Sequence, residues 1–434
     1  MNWLTLRSMR HLLNHALGKT VDDNTWYLCV EIFWATIYAS TTTFIAAYAI
    51  RLGASNSQIS LLSSIPALLA VAVALPSGRF LQSRKKWSNW VLSSLVLART
   101  VVLMLALVPL LTFLHVPIGG LAVLIVIMWT IPASFFNVGF LSLLSGTVAI
   151  ENRADTFAAR NIISGITLTV CTYLLGIWLV RIQFPYNYQI MFVFGFGICL
   201  LSQYYLNKLK VPDLPPPPSG TAGFQLRRSL RNQWRGFIQA LRDSPAFTRI
   251  MVNTILHSFG MWMAAPLYVL YFLNGLGASE AWLGLLGSIT NMAAIGGNLF
   301  WRNVIGRWGE SRVLRWTIIT LGLYPFLAGI LPSLTAILFA AGINGLMSPG
   351  VNLSHFNTLL GVIPDERRPE YTALYVSIVN IGAFISPLIG IALAGIFGFQ
   401  PVLIGCGLLS ILGSTSFWIW RVPQPGTIEI QPAA

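Results

Sequence analysis

Apolar runs of roughly 18 residues or more recur along this chain, and each is long enough to cross a bilayer. The sequence is 55% hydrophobic and only 9% charged over 434 residues. A soluble domain of that length needs far more charge to cover its surface. In hydrocarbon each backbone amide must be satisfied within its own segment, so long runs mean helices. The runs fall at residues 26–50, 57–77, 88–113, 118–147, 157–179, 188–207, 246–273, 280–300, 313–331, 334–362, 371–396 and 401–420. The expected fold is an all-α membrane protein with twelve transmembrane helices.

The chain also repeats itself. Leu52 to Ile65 (LGASNSQISLLSSI) returns as Leu276 to Ile289 (LGASEAWLGLLGSI). A second pair lies at nearly the same offset: Glu151-Asn-Arg153 and Asp365-Glu-Arg367 each follow the fourth run of their half. Phe157 and Tyr371 then open the next runs. A period of half a chain predicts two similar six-helix bundles, read in parallel. The first bundle is expected over 25–207 and the second over 245–422. They are flanked by an N-terminal segment (1–24), a central loop (208–244) and a tail (423–434).

The net charge of +14 does not point to nucleic acid, because Arg and Lys fall in alternate loops, as membrane topology requires. Only Arg51 and Arg181 fall in loops of the opposite side, and Arg99 lies within a run; the other basic residues share the side of both termini, which is expected to be cytoplasmic. Residues 3–17 read as a short amphipathic helix. In the central loop, Phe224, Leu230, Trp234, Phe237, Ile238 and Leu241 alternate at helical spacing with Arg227, Arg228, Arg231, Arg235 and Arg242. That is an interfacial helix suited to anionic lipid headgroups, the favoured contact, with a calmodulin-like partner as the alternative. Cys29, Cys171, Cys199 and Cys406 lie inside apolar runs without CxxC spacing, so no metal or redox framework is expected. The sequon at Asn352 lies inside a span. With no cleavable signal and no usable sequon, a bacterial plasma (inner) membrane suits the chain.

Six plus six spans, a parallel repeat and a long basic central loop resemble the major facilitator superfamily along nearly the whole chain. The family's loop between spans 2 and 3 reads roughly G-x-L-x-D-R-x-G-R-R/K. Here it is GRFLQSRKK from Gly78 to Lys86, with Gln82 where the family has Asp. Between spans 8 and 9, WRNVIGRWGESR (301–312) keeps Arg307, Gly309 and Arg312. The resemblance implies cytoplasmic gating contacts at Gly78, Arg84, Lys85, Arg307, Gly309 and Arg312, with the usual acids missing. The drug-antiporter motif G-x-x-x-G-P-x-x-G-G is absent from span 5; a related pattern, Gly382 to Gly390 around Pro387, appears in span 11.

The resemblance further implies that spans 1, 4, 7 and 10 line a central cavity. The sequence independently gives these spans polar faces at helical spacing. They are Glu31, Trp34, Tyr38 and Thr42; Thr130, Ser134, Asn137 and Ser145; Asn253, His257, Gly260 and Tyr271; and Asn344, Ser348, Asn352 and His355. Such groups avoid lipid, either lining a cavity or packing helices together. The candidate solute-site residues are Trp34, Tyr38, Asn137, His257, Trp262, Asn352 and His355. Glu31 and Arg99 are the costliest residues in the bilayer region and are candidates for a proton-coupling pair, or for a static ion pair. Pro66, Pro132, Pro266, Pro349 and Pro387 are expected to bend their helices.

No nucleotide, metalloprotease, calcium-loop or hydrolase motif occurs in a plausible context, so no enzyme and no cofactor is expected. The expected activity is secondary active transport of a small, moderately apolar organic solute by alternating access, with protons as a candidate driving ion. Export is favoured over uptake, and the chain is expected to act as a monomer. The competing expectation is a transporter-like sensor or assembly factor that no longer transports, motivated by the degenerate loop motifs.

Overall fold

The computed structural model describes residues 22–82, 84, 86–148, 150–210, 244–363 and 368–421. The expected amphipathic helix at 3–17, the basic interfacial helix of the central loop and Lys85 lie outside the described residues. The helices in chain order are α1 (Asp23–Thr42), α2 (Ile45–Arg51), α3 (Asn56–Gln82), α4 (Trp87–Leu107), α5 (Ile118–Thr147), α6 (Ile150–Arg181) and α7 (Tyr186–Leu206). They continue with α8 (Pro245–Leu270), α9 (Glu280–Trp308), α10 (Glu310–Ile330), α11 (Leu334–Val362), α12 (Arg368–Phe397) and α13 (Phe399–Ile419). Among the described residues, twelve segments, with α1 and α2 forming one, are long and apolar enough to cross a membrane.

Four of the prolines expected to bend their helices do not end them. The helices run on through Pro132, Pro266, Pro349 and Pro387. The first span breaks instead between α1 and α2, at a Ser-Thr-Thr-Thr run. There Thr41 and Thr42 donate back to the carbonyls of Tyr38 and Ala39 at 2.7 Å each, and Ser40 to that of Thr36 at 2.8 Å. Hydroxyls that take carbonyls three or four residues back compete with the helical ladder and bend it.

The two copies of the repeated loop share a left-handed glycine and a helix start. Gly53 (φ 82°) and Gly277 (φ 65°) both take the left-handed region, where a side chain would be strained. Three residues after each glycine the next helix begins, at Asn56 and at Glu280. The first copy is also capped reciprocally. The Gln58 amide donates to Ser55 Oγ at 3.2 Å, and the Ser55 amide to Gln58 Oε1 at 2.9 Å. This box satisfies two donors that a helix start leaves orphaned.

The chain divides into two compact units: Met1–Ala54, Ala72–Pro217 and Glu280–Ser288 form one, and Ser55–Val71, Pro218–Ser279 and Ile289–Ala434 the other. The first unit is centred on Phe44, Tyr48, Val102, Leu105, Tyr188 and Phe192. At its edge Arg51 grips the buried Glu280 carboxylate through Nε at 2.8 Å and Nη2 at 3.0 Å. The second unit packs around Phe247, Ile250, Leu314, Ile318, Tyr371 and Phe417. Its α8 and α13 lie close because Gly260 faces the Cys406 carbonyl and Ser410, and Gly413 faces the backbone of Leu256; a methyl group at either would overlap its neighbour. Small residues at such crossings are the usual way membrane helices approach.

Candidate functional site

The first unit carries a polar seam between α1 and α6. Thr156, Arg160 and Ser164 recur every fourth residue on α6, so they share one face. They meet Thr25 at 3.3 Å, Glu31 at 3.0 Å and Thr36 at 3.0 Å. Glu31 is the centre of a buried cluster. Its Oε2 accepts from Arg160 Nη1, and its Oε1 accepts from Ser202 Oγ of α7 at 2.9 Å and lies 3.6 Å from Arg99 Nη2 of α4. Arg99 also donates to the Cys199 carbonyl at 3.2 Å, and Arg160 donates to that of Leu28. Tyr38 lies under the Arg99 guanidinium at 5.7 Å, and Phe140 under that of Arg160 at 5.6 Å. Glu31, Arg99 and Arg160 are 3%, 5% and 6% exposed. The cluster is therefore closed, hydrogen-bonded and of net charge plus one.

Glu31 and Arg99 thus stand together, but Arg160 is the nearer cation. The sequence reading counted Arg160 among the basic residues of the loops, and this is corrected: it lies on α6, within the span Asp155–Arg181. The signal was present, because Arg160 falls inside the apolar run that begins at Phe157. Ser202 gave no signal of its own.

The second unit holds a cavity of about 300 Å³ lined by Thr254, His257, Ser258, Met261, Trp262, Ile318, Leu321, Val351, Asn352, His355, Tyr375 and Val379. Four of the candidate solute-site residues meet there: His257, Trp262, Asn352 and His355. Trp34, Tyr38 and Asn137 are not among its lining. Trp34 packs edge-on against Phe33 at 5.1 Å, Tyr38 belongs to the ion cluster, and Asn137 is exposed on α5. The rest of the polar face expected on α8 is a packing face: the Asn253 amide donates to the Trp420 carbonyl at 3.1 Å, and Gly260 abuts α13.

The hydrogen bonds orient both imidazoles. Thr254 donates its hydroxyl to the Ile250 carbonyl at 2.7 Å, so its oxygen is left to accept from His355 Nε2, also at 2.7 Å. His257 Nδ1 faces the Ser410 carbonyl at 3.3 Å and, at 2.8 Å, Ser414 Oγ, whose proton goes to the Ser410 carbonyl at 2.7 Å. Both partners can only accept, so Nδ1 carries the proton. In neutral rings this leaves His355 Nδ1 and His257 Nε2 as acceptors. The Trp262 ring rests on Gly382, where a Cβ would come within 2.7 Å of it. Gly382 of the span 11 pattern is therefore small to admit one wall of the cavity. Among the described residues, no Asp, Glu, Lys or Arg lines the cavity.

The loop candidates are dispersed. Arg307 and Arg312 are exposed on α9 and α10. Gly309 joins those helices in the left-handed region at φ 77°, which gives that glycine a backbone reason. Gly78 lies within α3, and Arg84 sits just after it. Among the described residues, no group of three or more His, Cys, Asp or Glu could hold a metal ion.

Residues 250–433 match the sequence model of the Major Facilitator Superfamily. Curated proteins yield no match by sequence. Solved structures match over nearly the whole chain. The nucleoside transporter NupG superposes with TM-score 0.62 at 14% identity, over 91% of this chain and 98% of its own. A bacterial homolog of the human lysosomal transporter Spinster, inward-facing and occupied, gives 0.62 at 12% identity over 91% and 95%. A POT family transporter in complex with a thioalcohol-conjugated peptide gives 0.67 at 13% identity, again over 91% and 95%. At these identities the likeness is one of fold.

Proposed function

We propose that this chain is a major facilitator superfamily protein, a reading supported by the sequence match of its second half and by the fold of the whole, and that it works by alternating access as a secondary transporter, exporting a small, uncharged organic solute in exchange for protons. The observation that carries the reading is the cavity of the second unit. At about 300 Å³ it is at the lower end of small-molecule sites. Its walls combine Trp262 and Tyr375 with apolar side chains, and its polar lining residues include His257, His355 and Asn352. Such a lining suits a flat, weakly polar molecule bearing N–H or O–H donors. A charged solute would find no counter-charge there.

Glu31 supports the proton-linked part. Its carboxylate is held by groups from α4, α6 and α7 at once. A shift of any of these helices changes what stabilises the negative charge. In this proposal the Glu31 carboxylate is the group that couples helix movement to the proton gradient.

The test is thermal unfolding of the purified protein against a broad panel of solutes at two pH values, followed by flux in proteoliposomes under an imposed pH gradient. A bound solute raises the unfolding temperature by mass action. We expect uncharged donor-bearing heterocycles to raise it and His355→Ala or Asn352→Ala to abolish the rise. A rise that survives both substitutions rejects the cavity as the solute site. Saturable flux that ignores the pH gradient rejects proton coupling.

A further inference from the structure

The first unit has a second concavity, different in kind. A groove of about 400 Å³ is lined by Val73 and Phe80 of α3, Trp90, Ser93, Ser94 and Leu97 of α4, and Ile131, Pro132 and Phe135 of α5. The spacings are helical: Val73 and Phe80 are seven apart, and Trp90, Ser93, Ser94 and Leu97 follow the i, i+3, i+4, i+7 pattern of one face. Seven residues of helix make the groove roughly 10 Å long. Its few polar atoms are already engaged in part, since Ser94 Oγ donates to the Val91 carbonyl at 2.7 Å. Trp90, Leu97 and Ile131 are 49%, 53% and 42% exposed. Nothing in the lining is built to hold a polar solute.

One end of the groove is cationic. Arg84 follows α3 and lays its guanidinium over Phe80 at 5.1 Å and over Trp90 at 5.8 Å. These two rings, themselves edge-to-face at 5.1 Å, are walls of the groove. Among the described residues no carboxylate pairs with Arg84. The position where the resembling family has an acid is Gln82, so the loop supplies no negative charge there.

We propose that this groove binds one anionic phospholipid, an acyl chain lying along α3, α4 and α5 and the phosphate meeting Arg84. The apolar walls exclude water from the chain. The guanidinium, already oriented by its two aromatic rings, offers a planar fork of donors to the phosphate. The site rests on the groove and on Arg84, and is independent of the solute cavity and of the Glu31 cluster.

The full-length protein is reconstituted into phosphatidylcholine vesicles containing brominated-chain phosphatidylglycerol or, in parallel, brominated-chain phosphatidylcholine. Bromine on the chain quenches nearby indoles. Because the chain has 15 tryptophans, the Trp90 signal is taken as the difference between the wild type and Trp90→Phe. The Trp90 component is expected to be quenched at about fivefold lower mole fraction of the anionic lipid, the enrichment expected from one cation near a headgroup. Arg84→Gln should remove that preference while leaving quenching by the zwitterionic lipid unchanged. Equal quenching by both lipids, a preference that survives Arg84→Gln, or no quenching of Trp90 by either lipid overturns the proposal.

Discussion

Two helices stand at corresponding places in the halves, α6 starting with the Glu151-Asn-Arg153 copy and α12 starting just after the sequence Asp365-Glu-Arg367, yet they do opposite things. On α6, Arg160 reaches Glu31 of α1 and completes a closed ionic cluster. On α12, Tyr375 lies 3.4 Å from His355 Nε2 in the wall of an open, uncharged cavity. The same architecture thus spends its polar residues on a sealed charge network in the first unit and on accessible hydrogen-bonding groups in the second. Charge in a bilayer is tolerated when it is held by opposite charge and hydrogen bonds. A solute site has to leave groups unpaired, and neutral ones cost less to leave so.

The comparison is broken most violently at Glu31. Glu31→Ala leaves two guanidiniums buried without their acid, and should destabilise the protein by about 3–5 kcal/mol, read as a fall in unfolding temperature or loss of folded yield. Removing all three charges together, as Glu31→Leu with Arg99→Met and Arg160→Met, should restore most of that stability, since well-packed apolar side chains replace buried ion pairs at little cost. If the triple variant is folded and still shows pH-driven flux, the cluster is structural alone.

Gly260→Ala comes next. The added methyl group meets the Cys406 carbonyl and Ser410, and overpacking of this kind costs about 1–3 kcal/mol. It should lower the unfolding temperature without any charge being touched, separating packing from electrostatics. Between the two cations, Arg160→Met should cost more than Arg99→Met, because Arg160 is nearer to Glu31, at 3.0 Å against 3.6 Å, and also holds the Leu28 carbonyl. Equal unfolding temperatures for the pair would mean that Glu31 shares its charge evenly.

The smallest effect on stability, and the largest on binding, is expected at the cavity. His355→Ala removes one hydrogen bond to Thr254, worth about 0.5–1.5 kcal/mol. It should barely move unfolding of the solute-free protein, yet erase the rise caused by a bound solute. A variant that unfolds as easily as Glu31→Ala would show that the second unit's polar groups also hold the fold.

Much of this molecule was legible before any coordinates. Each apolar run became a helix, because backbone in lipid has few alternatives. The repeat at Leu52 and Leu276 became two loops with the same left-handed glycine, a residue favoured at the positions of Gly53 and Gly277. Four of the twelve residues lining the proposed solute site were named from sequence too. His257, Trp262, Asn352 and His355 come from two helices whose polar residues repeat at helical spacing, whereas Trp34 and Tyr38 share such a face on α1 and serve packing and the ion cluster.

The difference lies in what a helix can specify alone. Sequence determines that a helix forms, where it ends and which residues share a face. It does not determine which neighbour that face meets. Glu31 found Arg160 from 129 residues away and Ser202 from 171. Gly260 turned against α13, while His355 turned toward an opening. Only packing in three dimensions sets the rotation of each helix about its axis, and that rotation decided which polar groups were sealed as structure and which were left facing a cavity.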